Sequence, residues 1–202
     1  MAGLVVLAII IGYLIISLIV VMVTVKTAKK HGRRGWVWGW VAALAMYNLV
    51  FWDWIPTVAM HKYECATEAG FWVYKTPEQW EKENPGVLET LVSPKNAPHT
   101  FEGSTDSGNY TTTYITNSRF RWVVKHSGPH LFNLWREEQE FVDVKTGEVL
   151  AKYVDFSTSQ IRRQAGWSGW KFWLDKRHCD QGEMNQSKFW RVVDALRGRS
   201  EK

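Results

Sequence analysis

Two histidines and two cysteines make the densest reactive grouping in the chain: His61 stands four residues before Cys65, and His178 adjoins Cys179. Imidazole and thiolate together are a zinc-type donor set. Neighbours such as His178 and Cys179 rarely ligate one ion together, however, and neither pair has a familiar zinc spacing. The reading taken is therefore a Cys65–Cys179 disulfide, with no metal and no cofactor, in an oxidising compartment. It would close a loop of about 115 residues, for which the chain-entropy model gives roughly 4 to 5 kcal/mol.

The remaining reactive groups are thinner. His126 and His130 lie four apart, but Gly128 and Pro129 between them break any helix, so His126–His130 is expected to be a loop. Gly166-Trp167-Ser168-Gly169 has Trp170 where a nucleophile elbow needs glycine, which excludes that hydrolase motif. Glu137, Glu138 and Glu140 read as the solvated face of a strand, and no second carboxylate cluster pairs with them for general acid–base work. Phosphate loops, dinucleotide fingerprints and metalloprotease helices are missing. No catalytic residue is assigned.

What must position these groups begins with a greasy N-terminus. The first charged side chain is Lys26, and Leu4 to Val25 supplies the roughly 20 apolar residues that cross a bilayer as a helix. A signal peptide fits poorly, since the charges follow the apolar run rather than precede it. A second uncharged stretch runs from Gly35 to Trp52, then Asp53, then Trp54 to Met60. Trp36, Trp38 and Trp40 at one end, with Trp52 and Trp54 at the other, have the separation of two aromatic belts at the water interfaces. The expectation is a transmembrane hairpin over residues 1–60, with spans at about 4–25 and 36–57. Asp53 would be an ionisable group near the outer headgroups, hydrated, rather than part of a proton path.

The formal charge of +5 is carried by Lys26, Lys29, Lys30, Arg33 and Arg34. Basic loops are retained in the cytoplasm, so the connector 26–35 is expected inside and residues 61–202 in the periplasm. A nucleic-acid partner is excluded by the same distribution: the sequence pI of about 9.2 comes from a juxtamembrane loop, not from a folded basic face.

Residues 61–202 suffice for one domain with its own core. Thr76-Pro77-Glu78-Gln79 predicts a short helix with a capping box, stopped at Asn84-Pro85-Gly86. Ser93 to Gly108 reads as an exposed loop. Phe120, Trp122 and Val124 alternate with Arg119, Arg121 and Val123 as a strand with one buried face, with Asn109 to Asn117 as its partner. Leu134 to Val144 and Glu148 to Phe156 form a hairpin about Lys145-Thr146-Gly147. A helix from Ser187 to Arg197 presents Phe189, Val193 and Leu196 and stops at Gly198. The fold class is α+β: a helical hairpin, then a small antiparallel sheet of four or five strands with flanking helices.

Tyr63-Glu64-Cys65, Ala69-Gly70, Val73-Tyr74-Lys75-Thr76 and Trp80 resemble a segment of uncharacterised small two-span inner-membrane proteins of proteobacteria and their mobile elements. The resemblance covers residues 63 to 86 and implies a bacterial inner membrane with a periplasmic domain. It carries over no activity and no site residue.

Trp167, Trp170, Phe172 and Trp173, with Arg162, Arg163, Lys171, Lys176 and Arg177 around them, are the candidate interaction surface. Core packing, lipid contact and a protein-binding hot spot compete for that segment. The function expected is a non-enzymatic, membrane-anchored periplasmic binding protein, part of an envelope complex or a phage-exclusion factor, with no small-molecule substrate. The alternative is a membrane-bound enzyme or metal-site protein using His126, His130 or the His61/Cys65/His178/Cys179 group. A catalyst should gather its titratable groups in one pocket, whereas a docking module should present an exposed aromatic patch.

Overall fold

A computed structural model describes residues 2–105, 108–158, 174–176 and 178–200, with side chains from Leu7 onward. The Trp167, Trp170 and Trp173 surface and its Arg162, Arg163 and Arg177 lie outside the described residues. Those described form two compact units, divided after Pro56.

In the first unit α1 (Ala2–Lys30) and α2 (Gly35–Phe51) lie antiparallel. Leu7–Lys30, with a mean hydropathy of 2.9, is long and apolar enough to cross a membrane. Its Leu7, Ile9, Leu14, Ile16 and Leu18 are each more than half exposed. Gly35, Gly39 and Ala42 are the buried residues of α2 and line its contact with α1. A methyl group on Gly39 would stand 2.8 Å from Val25 Cγ2, so the backbones approach as closely as small residues allow. The Tyr13 hydroxyl donates across the pair to the Met46 carbonyl.

The expected second helix, 36–57, is interrupted. α2 ends at Phe51, Trp52 and Asp53 form a turn, and α3 (Trp54–Thr67) begins beyond it. Pro56 explains the break, because it lacks an N–H and its ring would clash with the Trp52 carbonyl of a continuous helix. In the first turn of α3 the same proline costs no hydrogen bond. Gly35–Phe51 and Trp54–Thr67 have the length and hydropathy of a span only when counted together.

The second unit holds an antiparallel six-stranded sheet of order β1-β7-β6-β5-β4-β3. Its strands are β1 (Gly70–Val73), β3 (His99–Ser104), β4 (Asn109–Ile115), β5 (Phe120–His130), β6 (Leu134–Asp143) and β7 (Val149–Ser157). Between β1 and β3 come α4 (Pro77–Glu83) and the short β2 (Val92–Ser93), and after β7 come α5 (Gly182–Ala195) and β8 (Arg199–Ser200), which pairs with β2 in parallel. The fold is α+β, with an N-terminal apolar helix and an antiparallel sheet domain.

The Thr76 hydroxyl accepts from the Gln79 N–H at 3.3 Å while Gln79 Oε1 accepts from the Thr76 N–H at 3.1 Å, closing the expected capping box. α4 thereby delivers Trp80 to the core, where Phe120, Phe141, Tyr153, Phe189 and Leu196 bury around it. The Trp80 indole donates to Asp143 Oδ2 at 2.9 Å, and Arg119 Nε donates to Asp143 Oδ1 at 2.6 Å. Asn117 ties the β4–β5 turn to the end of α5, donating to the Leu196 and Arg197 carbonyls at 3.1 and 3.0 Å. Gly147 takes φ +73 in the β6–β7 turn, as that turn requires.

Four expectations are corrected. Ser93 to Gly108 is not all loop: His99–Ser104 is β3, an edge strand whose six residues are all exposed and which pairs along its backbone with β4. His126–His130 is the end of β5, carried past Gly128-Pro129 by a register shift rather than released as a loop. Among the described residues the sheet has six strands, where four or five were expected. The last helix starts at Gly182, five residues before Ser187, and ends at Ala195.

Candidate functional site

Helix α3 sets His61 and Cys65 one turn apart on a single face, as the i, i+4 spacing dictates. The chain before α5 brings Cys179 to the same face, and the Cys65 and Cys179 sulfurs stand at disulfide distance, 1.98 Å. Leu134, Val154 and Phe156 of the sheet form the floor, with Met60 and Ala69 packed against them. The His61 ring is buried; Nε2 lies 3.2 Å from the Phe156 carbonyl, and Nε2 and Nδ1 lie 3.6 and 3.8 Å from Cys65 Sγ. Burial pushes the His61 pKa below its ordinary value, against a smaller opposing pull from the Phe156 carbonyl.

Asp155, in β7, is buried beside this corner. Its Oδ2 pairs with His178 Nδ1 at 2.7 Å and accepts from the Tyr153 hydroxyl at 2.9 Å, and its Oδ1 accepts from the Cys179 N–H at 3.0 Å. The Tyr153 hydroxyl is shared with the Gly182 carbonyl, 3.1 Å away at the start of α5. Burial, reinforced by the Asp155 charge, pushes the Tyr153 pKa far above the ordinary phenol. A cavity of about 430 Å³ opens here, lined by His61, Cys65, Val154, Asp155, Cys179 and Gly182 among others. The four expected His and Cys residues thus gather at one place, but in two roles. His178 is occupied by Asp155, while His61 touches the sulfur.

Along the sheet the register puts Tyr110, His126, Glu137 and Asp155 in one row across β4, β5, β6 and β7. The Tyr110 ring stacks on His126 at 4.5 Å, and His126 Nδ1 is 3.9 Å from Glu137 Oε2. The same face carries His99, Phe101, Tyr114 and Trp122. Phe101 stacks on Tyr110 at 5.4 Å and Tyr114 on Trp122 at 4.4 Å, and Trp190 of α5 meets Trp122 edge-on at 4.6 Å. α5 packs on β7 and β1, toward the far edge of the sheet, so Tyr110, Tyr114 and Trp122 stay half-buried while His99 is exposed and Phe101 is 48% exposed.

The opposite face is ionic. Lys125 pairs with Glu140 at 2.7 Å, Lys152 with Glu138 at 2.9 Å, and Arg136 with Glu138 at 2.9 Å. The acidic trio expected on one solvated face is therefore split by the strand's period of two. Glu138 and Glu140 join this ladder, while Glu137 turns to the aromatic side.

His126 and His130 are not brought together. His130 is exposed, its Nε2 3.3 Å from Ser127 Oγ, and no carboxylate among the described residues bonds its ring. Trp36, Trp38, Trp40, Trp52 and Trp54 are all exposed, and Arg33 lies over the Trp38 ring at 5.2 Å. Asp53 sits in the break between α2 and α3, half-buried.

Sequence reasoning missed Asp155 and Tyr153 of β7, and the ring row of β3 to β5. The Tyr- and Thr-rich composition of Asn109 to Asn117 was the available signal for the latter. Compared with protein-family models, curated proteins and solved structures, the chain matches none.

Proposed function

We propose that the chain is a membrane-anchored docking protein whose sheet domain binds another envelope component through the aromatic face of β3 to β5. One observation carries the reading: half-buried and exposed rings cover the part of the sheet that α5 leaves open, while the reverse face carries matched ion pairs of Lys125, Lys152, Glu138 and Glu140. Aromatic residues with accessible edges are the side chains from which interface hot spots are built. In this reading residues 4–25 of α1 and the broken segment 36–57 form the two-span anchor, and the basic connector 26–35 is cytoplasmic. The domain lies in the bacterial periplasm, where a cystine persists. The partner is a protein of an envelope complex, or of an incoming phage that the chain excludes.

Two experiments test it. A reporter enzyme fused after Lys202 should be active only outside the cytoplasm. A photo-crosslinking residue at Phe101 or Tyr114, but not at Lys125 on the ionic face, should trap a partner in intact membranes. Equal trapping from both faces, or from neither, refutes the docking face.

A second reading, a membrane-bound enzyme or metal protein, is favoured by one observation, the meeting of His61, Cys65, Cys179 and Asp155 around a single cavity, with His178 bonded to Asp155. The lipid-contacting role of the Trp167–Trp173 segment lies outside the described residues.

A further inference from the structure

We infer that reduction of the Cys65–Cys179 bond converts this corner into a three-ligand site for a soft divalent cation of the Zn²⁺ class, held by both thiolates and His61. The inference does not rest on the docking face. It rests on three side chains whose ligand atoms all lie within 4.8 Å of one another.

The distances suit a tetrahedral ion. Metal–sulfur and metal–nitrogen bonds of about 2.3 and 2.0–2.1 Å put neighbouring sulfur and nitrogen ligands about 3.6 Å apart, and two sulfurs about 3.8 Å apart. The His61 ring nitrogens are already 3.6 and 3.8 Å from Cys65 Sγ. The two sulfurs must separate, which breaking their bond permits.

The surroundings suit it as well. With an Nε2–H donated to the Phe156 carbonyl, His61 keeps the Nδ1 lone pair for a metal, 3.8 Å from the sulfur, and a carbonyl in that position is the usual support of a ligating imidazole. His178 is held by Asp155 and stays outside the set, so the unfavourable His178–Cys179 neighbour pair is not needed. Three protein ligands leave the fourth position to water from the adjoining cavity, the arrangement of an open rather than a closed zinc site.

The chemistry balances. An incoming dithiol gives two electrons and two protons to the cystine and leaves as its own disulfide, and Cys65 and Cys179 become thiols. The cation then displaces both thiol protons and takes the His61 lone pair. The ion restores the link between α3 and the start of α5 that reduction removed.

The test uses the full chain in detergent, reduced with a phosphine so that no added dithiol competes for metal, with Co²⁺ as probe and Zn²⁺ as competitor. Reduced wild type should bind one Co²⁺ per chain with a thiolate-to-cobalt charge-transfer band, lose that band to Zn²⁺, and melt at a higher temperature with Zn²⁺ than without. The oxidised chain should show none of this. His61→Ala should keep the band but weaken Co²⁺ binding at least tenfold, and His61→Gln should do the same if alanine unfolds the reduced domain. A reduced wild type with neither band nor Zn²⁺-dependent melting shift overturns the inference. So does Co²⁺ affinity unchanged in both His61 variants.

Discussion

Replacing Asp143 by alanine removes one carboxylate and strands three donors at once. The side chain is fully buried and accepts from Arg119 Nε at 2.6 Å, Trp80 Nε1 at 2.9 Å and the Lys145 N–H at 2.9 Å. A charge-assisted bond is worth about 1.5–3 kcal/mol, an orphaned buried donor such as the Trp80 N–H costs about 1–3, and the turn bond contributes about 1. These terms are not additive, since Arg119 keeps Asn84 Oδ1 at 3.2 Å and its place over the Trp80 ring. Breaking a buried pair by deleting one partner costs about 3–5 kcal/mol, and that is the expected loss. Asp143→Asn keeps the volume and one acceptor and should lose about half as much. Thermal unfolding of the full chain in detergent, followed by tryptophan emission, reads both, and an Asp143/Arg119 double-mutant cycle isolates the pair at about 1.5–3 kcal/mol. Burial pushes the Asp143 carboxyl up, but the bonds from Arg119, Trp80 and Lys145 outweigh it and hold its pKa below the usual range. Its contribution is therefore complete above the unfolded carboxylate pKa of about 3.9 and is lost as pH falls through the lower folded value. An alanine variant within about 1 kcal/mol of wild type at pH 7 would refute the keystone role, as would a cycle with no coupling.

Gly198→Ala should destabilise more than Gly147→Ala in the same melts. Both glycines sit at positive φ, but a methyl on Gly198 would stand 2.4 Å from the Leu91 carbonyl, whereas Gly147 faces open space and should cost about 1–2 kcal/mol. Burial holds His126 below its ordinary pKa, against a smaller upward pull from Glu137, so the unfolded chain takes up the proton first. Stability should then be flat above pH 7 and decline below about 6.5, with His126→Gln giving the shallower slope. Changing Cys65 and Cys179 together to serine removes a link across 114 positions and should cost about 4–5 kcal/mol in the chain-entropy picture. Equal melting of wild type and double variant under oxidising conditions would show that the link adds nothing.

The elements that were legible in the sequence are those whose cause is local. Thr76 and Gln79 cap α4 within four residues, Gly147 marks a turn, and Phe120, Trp122 and Val124 alternate because one face of β5 is buried. β3 was hidden because all its residues are exposed, which removes the alternation that would identify it. The early start of α5 was hidden too, since Gly182 to Gln186 supplies no apolar period. The break between α2 and α3 follows from Pro56, which is visible in the sequence. At the candidate site the His and Cys members stood out by type. Asp155 did not, because its importance comes from Tyr153, His178 and Cys179, which meet it only in the folded sheet and the approach to α5.

Synthesis runs from the N-terminus, so Cys65 emerges long before its mate: 114 positions of chain follow before Cys179 exists to meet it. Every sheet strand from β1 to β7 lies between them. A chain stalled or clipped anywhere in that interval is left with a lone thiol on α3, open to mispairing and to thiol-directed quality control. The cystine therefore marks a domain whose strands β1 to β7 have all been made.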